Sequence, residues 1–588
     1  MKILIMGVLY MIKINDEMLL KEVIGFCDSL IEENVLKKYQ VDDDTQLELA
    51  YPLDKGIKEK LEILKQRGID KNTGELSYEI NDKIDELWNV LIEKSIICLR
   101  FFDKREPFMD NGKHQYVYGM DKLNEYHKNY IDFEGVLYGS DAYYRDHVFH
   151  VIRVWMLGVY LILSGNTHIT DEGKRLIDLI HFEGEVVGNV EKATQADIDK
   201  IPKDLKDGDS AIIKKEEKYY KIHKTLDNEA KEEYVLVSPN TFSSEINILE
   251  KISMWTIMAL CHDLGYPLEK SKKVLAKTEK MMEAFISSPY VEKNLKFDGT
   301  QDSNNLDIIT FASKKMKAIT ENKESFIAKY NASIQDKYKF KYKLSLEDFS
   351  HGIISAIIIY KMLIYFIETD NNPDANYIFD NEDARQFYMR RDILRAISSH
   401  TCENIYHIDV ATFPMILFVC DELQEWGRKT WKSMYRGVTN SAVQLTINSF
   451  NAKKIEYEEE IDMQNASGNQ LVENIERIIK KQYMLYLTTF RDGQYTARRE
   501  FDFIKHIHIK VNEDYKSIEK IDIDFSINHG SKDNTFTLTI RNSGDNEAKG
   551  KKTKANSLTE NIKELLKPYS DNKKYGICQF VDDREVKK

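Results

Sequence analysis

Four imidazoles and two carboxylates are the side chains of this sequence best suited to chemistry. They are His150, the adjacent pair His262-Asp263, His351, His400 and Asp421, and each stands at or near one end of an apolar run. Taken singly, each reads as a core histidine bonded to the backbone or a helix-end acid. Taken together, they make the mixed nitrogen and oxygen set that suits Mn, Fe, Zn, or Mg with waters. One ion rarely takes six protein ligands if it must also bind a substrate. Two ions about 3.5–4 Å apart, bridged by one carboxylate, would use the set and leave positions for water.

The elements that must position these groups read as buried helices. Over 252–267 the run ISMWTIMALCHDLGYP pairs Trp255 with Met258 and Ile257 with Leu260, and Gly265 and Pro267 stop it. His262 and Asp263 thus fall at its C-terminal end. Successive helical side chains point about 100° apart, so the pair can reach one ion from two directions. His147 and His150 lie one turn apart near the start of a second run, 139–165. A third, 345–366, opens with Ser345, Glu347 and Asp348, which suit a helix N-terminus, and carries His351 in its first turns. Gly352 and Ser355-Ala356 allow close helix contact there. The segment 392–400 is a short amphipathic helix ending in His400. The run 413–429 drives into Asp421 beside its buried face, where an unpartnered carboxylate is expensive.

The 588 residues hold three to four domains' worth of chain, and 9 Pro with 26 Gly point to a mainly α protein. Residues 1–130 read as an N-terminal helical region, with the apolar run 3–12 as a buried strand and Met11 as a second candidate start. Residues 101–138 read as aromatic and irregular. Residues 131–430 form a helical core with two insertions: a small β insertion about 183–240, turning at Glu216-Glu217, and a helical one about 273–342. Strand-like alternation at 501–510, 521–527 and 535–540 marks 431–588 as a C-terminal α+β domain, regulatory or oligomerising. A loop is expected over 542–553. The net charge of -13 argues against a stable nucleic-acid partner. No run is long enough to span a bilayer. Six scattered cysteines without a C-x-x-C fit free thiols in the cytoplasm.

The order H…HD…H…H…D resembles the HD-domain metal-dependent phosphohydrolases. Residues 150–154 (HVIRV) look like the family's first motif and 260–265 (LCHDLG) like the defining one. The segments 348–356, 396–400 and 421–424 look like the later three. The resemblance covers roughly 138–429. It implies an all-helical HD-type core in which Asp263 bridges two divalent ions. His150, His262 and Asp421 would hold one and His351 and His400 the other. It also implies hydrolysis of a nucleotide, with Arg145, His147 and Lys270 binding phosphate or protonating the leaving oxygen. In the family's cyclic-dinucleotide phosphodiesterases Gly-Tyr-Pro follows a later histidine, whereas here Gly265-Tyr266-Pro267 follows the HD pair. Its deoxynucleotide triphosphohydrolases carry a His-rich segment where Leu268-Glu269-Lys270-Ser271 stands. Three functions follow as expectations. The first is a (deoxy)nucleoside triphosphate hydrolase, a regulated homo-oligomer with an allosteric nucleotide, of the kind bacteria turn against phage. The second is a cyclic-nucleotide or oligonucleotide phosphodiesterase. The third is a non-catalytic nucleotide sensor.

Overall fold

The computed structural model describes residues 12–32, 50–101, 117–140, 146–164, 175–182, 191–201, 210–215, 218–226, 232–237, 246–271, 300–322, 327–367, 381–402, 412–428, 441–450, 454–464, 471–476, 478–479, 502–513, 516–528, 535–542, 560–567 and 577–582. Among these, helix exceeds strand, and the helices include α1 (Asp16–Glu32), α2 (Lys55–Arg67), α3 (Asn81–Phe101), α4 (Met120–Ser140), α5 (Val148–Leu163), α6 (Leu176–Leu179), α7 (Gln195–Ile198), α8 (Ile248–Cys261), α9 (266–271), α10 (Thr300–Ala312), α11 (Asp336–Glu347), α12 (His351–Met362), α13 (Ile364–Ile367), α14 (Asn381–Ser399) and α15 (Phe413–Leu423), with further helical residues at 471–476, 478–479 and 560–567.

Two helices, α5 and α8, are predominantly apolar and buried on every face along nearly their whole lengths, the pattern of helices surrounded by others. They lock to each other by exchanged indole bonds. Trp155 Nε1 donates to Thr256 Oγ1 at 3.0 Å, and Trp255 Nε1 donates to the Trp155 carbonyl at 3.1 Å. Helices α3, α14 and α15 pack around this pair, and α12 lies against α14. The start of α8 is a reciprocal cap: Asn247 Oδ1 accepts from the Glu250 amide, and Glu250 Oε2 accepts from the Asn247 amide, both at 3.0 Å.

The strands fall into three sheets. β1 (Ile12–Ile14) joins β8 (Ser441–Phe450), β9 (Lys454–Gln464), β10 (Asp502–Glu513), β11 (Lys516–Asn528), β12 (Thr535–Asn542) and β13 (Ile577–Asp582) in one seven-stranded sheet, in that order. Its β9–β10 and β12–β13 pairs are parallel and the rest antiparallel. Strict alternation puts Phe503, Ile507, Ile509, Ile521, Ile523 and Phe525 in the same hydrophobic core as the helices. The insertion carries β2 (Glu191–Lys192), β3 (Ser210–Lys215), β4 (Lys218–Leu226) and β5 (Glu232–Val237), ordered β2-β5-β4-β3, with Lys215 paired to Lys218 across the expected turn. A two-stranded sheet joins β6 (Lys314–Asn322) to β7 (Ile327–Ile334).

The architecture is mainly α, with β-rich additions. Four boundaries differ from the sequence expectation. The second insertion is not wholly helical, since the β6–β7 hairpin lies inside it; Met316, Tyr330 and Ala332 alternate inward to the core. The stretch expected to be irregular up to residue 138 contains α4, which also crosses the boundary drawn at 130. Ser345 and Glu347 end α11 rather than open a helix. The chain turns at Phe349, whose φ of 59° is left-handed, and Ser350 precedes α12. Finally, α14 begins at Asn381, well before 392. Residues 3–11, all but the last residue of the apolar run read as a strand, lie outside the described residues. So do 543–553.

Candidate metal centre

The chain leaves α8 in a tight turn over 262–265 and enters α9, so His262 and Asp263 project from a helix end into the bundle. Carbonyls that a helix end leaves unbonded must find donors. Here Trp88 Nε1 donates to the Leu260 carbonyl at 3.0 Å, and the Tyr126 hydroxyl to that of Leu264 at 2.8 Å. Gly265 lets the turn touch α12: a Cβ there would stand 2.5 Å from the His351 carbonyl oxygen. Its amide donates to Ser355 Oγ at 2.8 Å. That contact sets His351, the first residue of α12, against Asp263.

Each of the four imidazoles spends its Nδ1 on a partner. His262 Nδ1 faces the Ala259 carbonyl at 2.9 Å and His400 Nδ1 the Ile397 carbonyl at 2.7 Å. His351 Nδ1 meets Glu269 Oε2 at 2.7 Å, and His150 Nδ1 meets Gln424 Oε1 at 2.5 Å. Gln424 Nε2 donates to the Trp426 carbonyl at 2.6 Å, which fixes its oxygen as the acceptor for His150. Carbonyl and carboxylate oxygens only accept, so every Nδ1 carries a proton and every Nε2 is the exchangeable atom. This is how protein surroundings orient metal-binding histidines.

All four Nε2 atoms converge on the two carboxylates. Asp263 divides its oxygens: Oδ1 lies 3.2 Å from His351 Nε2 and 3.7 Å from His400 Nε2. Oδ2 lies 3.4 Å from His262 Nε2 and 3.6 Å from His150 Nε2. Asp421 Oδ1 closes the second set, 3.0 Å from His150 Nε2 and 3.8 Å from His262 Nε2. Two ligand atoms bound about 2.1 Å from one ion, at tetrahedral or octahedral angles, stand about 3.0–3.4 Å apart, so the spacing fits. The Nε2 atoms of His262 and His400 are buried without a hydrogen-bond partner. An orphaned buried polar atom costs about 1–3 kcal/mol, and a bound cation removes that cost. Two triplets, His150/His262/Asp421 and His262/Asp263/His400, each bring their ligand atoms within 4.8 Å of one another.

The electrostatics ask for positive charge. Burial works against the carboxylates, yet their imidazole partners hold Asp263 and Asp421 well below the usual carboxylate range. Burial likewise opposes a charged His262, but Asp263 and Asp421 outweigh it and lift the imidazole to about 10. Asp263 and Glu269 raise His351 to about 9 against the same burial. Burial, then the Arg428 charge, pull His150 down to about 4 and His147 to about 3. Without a metal, protons on His262 and His351 therefore supply the two positive charges that a divalent ion would otherwise bring.

The structure thus brings His150, His262, Asp263, His351, His400 and Asp421 together. His147 stands beside them. Glu134 Oε1 accepts its amide at 2.5 Å and lies 3.2 Å from its Nδ1, and its ring rests 3.9 Å from that of Tyr266. Lys270 is one layer removed, its Nζ 4.7 Å from the Tyr266 ring centre. Arg145 lies outside the described residues. The sequence reading did not single out Gln424, Glu269, Glu134, Tyr266 or Arg428. Gln424 had one signal, standing three residues after Asp421 and hence on its helix face. Glu134 had none, because the stretch that forms α4 read as irregular. Compared with known protein families, curated proteins and solved structures, the chain finds no match.

Proposed function

We propose that the chain is a metal-dependent phosphohydrolase built on an HD-type helical core and acting on nucleotides, (deoxy)nucleoside triphosphates first among them. One observation carries this reading: four imidazoles with Nδ1 occupied turn their Nε2 atoms onto two carboxylates, one of which splits its oxygens between two imidazole pairs. Asp263 would be shared between the two ligand sets, with His150, His262 and Asp421 holding one ion and His351 and His400 the other. Divalent ions, when bound, supply a water of lowered pKa and neutralise phosphate oxygens. Gln424 and Glu269 keep the imidazoles in the ligating tautomer. Burial and the Arg428 charge keep His147 neutral at physiological pH.

A phosphodiesterase acting on cyclic or oligomeric nucleotides is the second reading. The complete His351/His400 pair favours it, since a second ion steadies the leaving oxygen of a diester. The test is turnover of a nucleotide panel by the full chain in Mn, Mg, Fe or Zn, with products separated by chromatography and Asp263→Ala as control. Release of triphosphate or orthophosphate supports the first reading, and a linear monoester the second. Metal uptake with nucleotide binding but no turnover would leave a sensor. Absence of any metal uptake would end both hydrolase readings.

A further inference from the structure

We propose that Arg428 is the residue that grips a phosphate group of the substrate beside the metal centre. This rests on the reading of the centre as a phosphohydrolase site and names a residue that the sequence reading did not.

The backbone that presents Arg428 is held on three sides. Buried Gln424 ties the strap 424–428 to His150 and to the Trp426 carbonyl. Trp426 Nε1 donates to Asp16 Oδ1 at 2.9 Å. Arg153 Nη1 donates to the Gly427 carbonyl at 3.2 Å, and Arg153 itself is pinned by Asp16 at 2.8 Å. Gly427 has a φ of 68°, and a Cβ on it would stand 2.7 Å from Arg153 Nη2. Only glycine suits that turn, so the exit direction of Arg428 is built in.

Among the described residues, the guanidinium at the end of this strap meets no counter-ion. Its Nε is buried without a hydrogen-bond partner. No hydrogen bond or ion pair of Arg428 occurs among the described residues, while Arg153, Arg385 and Arg391 each meet a carboxylate. Arg428 nonetheless lies close enough to His147 and His150 for its charge to act on both. A half-buried, unpaired guanidinium beside a cation-binding centre calls for an anion. Its planar fork matches two oxygens of a phosphate, and it cannot shed its proton to escape the cost of standing alone.

The test is calorimetric titration of inorganic phosphate into the full chain, with magnesium and again in chelator. It compares wild type, Arg428→Gln and Arg428→Lys, with metal binding titrated separately. Arg428→Gln should bind phosphate about 10- to 150-fold more weakly. Metal stoichiometry should be unchanged, and Arg428→Lys, which keeps the charge and loses the fork, should fall between. Equal phosphate affinity in wild type and Arg428→Gln, or no phosphate binding by wild type in either condition, overturns the assignment. Failure of wild type to take up metal is a separate result: it removes the hydrolase reading, and the chelator arm still decides Arg428. Should Arg428→Gln not fold, Arg428→Lys decides alone: wild-type phosphate affinity in it overturns the fork.

Discussion

The division of Asp263 between two imidazole pairs makes each half of the centre depend on a different outer partner. Gln424 supports His150 in one half, and Glu269 supports His351 in the other. Replacing either partner should weaken one ion and spare the other. Loss of such an outer partner costs about 10- to 100-fold in metal affinity, or about 1.4–2.7 kcal/mol. Local burial decides where in that range each variant falls. Gln424 is completely buried, so no water can take over the bond to His150 Nδ1. Gln424→Leu should therefore approach 100-fold on the His150/His262/Asp421 ion. Glu269 and His351 have side chains 21% and 18% exposed, so water can replace part of the lost bond. Glu269→Ala should sit near 10-fold on the His351/His400 ion. Two-site calorimetry with Mn or Zn resolves the steps, and the double variant should show both losses. If wild type binds a single ion, or both variants weaken the same step, the two-pocket arrangement is wrong.

Other consequences are equally direct. Asp263→Asn removes charge from both pockets at once and should abolish binding of both ions in equilibrium dialysis. Asp16→Ala leaves Arg153 buried without its carboxylate and should lower unfolding stability by about 3–5 kcal/mol in urea titrations. Gly158→Ala places a methyl 1.8 Å from the Trp255 ring and should cost about 1–3 kcal/mol or more by the same assay. His127 lies flat on Trp88 at 3.7 Å, and burial lowers its pKa despite Asp85. The unfolded chain thus binds this proton more readily than the folded one. His127 costs nothing above its ordinary pKa of 6.5, and stability falls as pH drops below it. His127→Phe should flatten the stability–pH curve below pH 6.5 relative to wild type, and an unchanged slope would contradict the burial argument.

Local pattern was enough to find the metal-ligand candidates. Runs such as 252–261 are too apolar to lie anywhere but in a core, so the polar residues ending them had to be answered by something. The hairpin β6–β7 was hidden because its alternation is short and set among Lys-rich segments, where helix and strand periods are hard to separate. The start of α12 was hidden because it depends on a left-handed Phe349, a conformation that no propensity favours for an aromatic residue. By itself, the sequence determined which side chains could ligate and that helices carry them, since hydrophobic period and residue chemistry are properties of neighbours along the chain. Only the tertiary structure decided the division of Asp263's oxygens, the tautomers enforced by Gln424 and Glu269, and the unpaired guanidinium of Arg428. Those depend on contacts between segments up to 410 residues apart, which are set by packing.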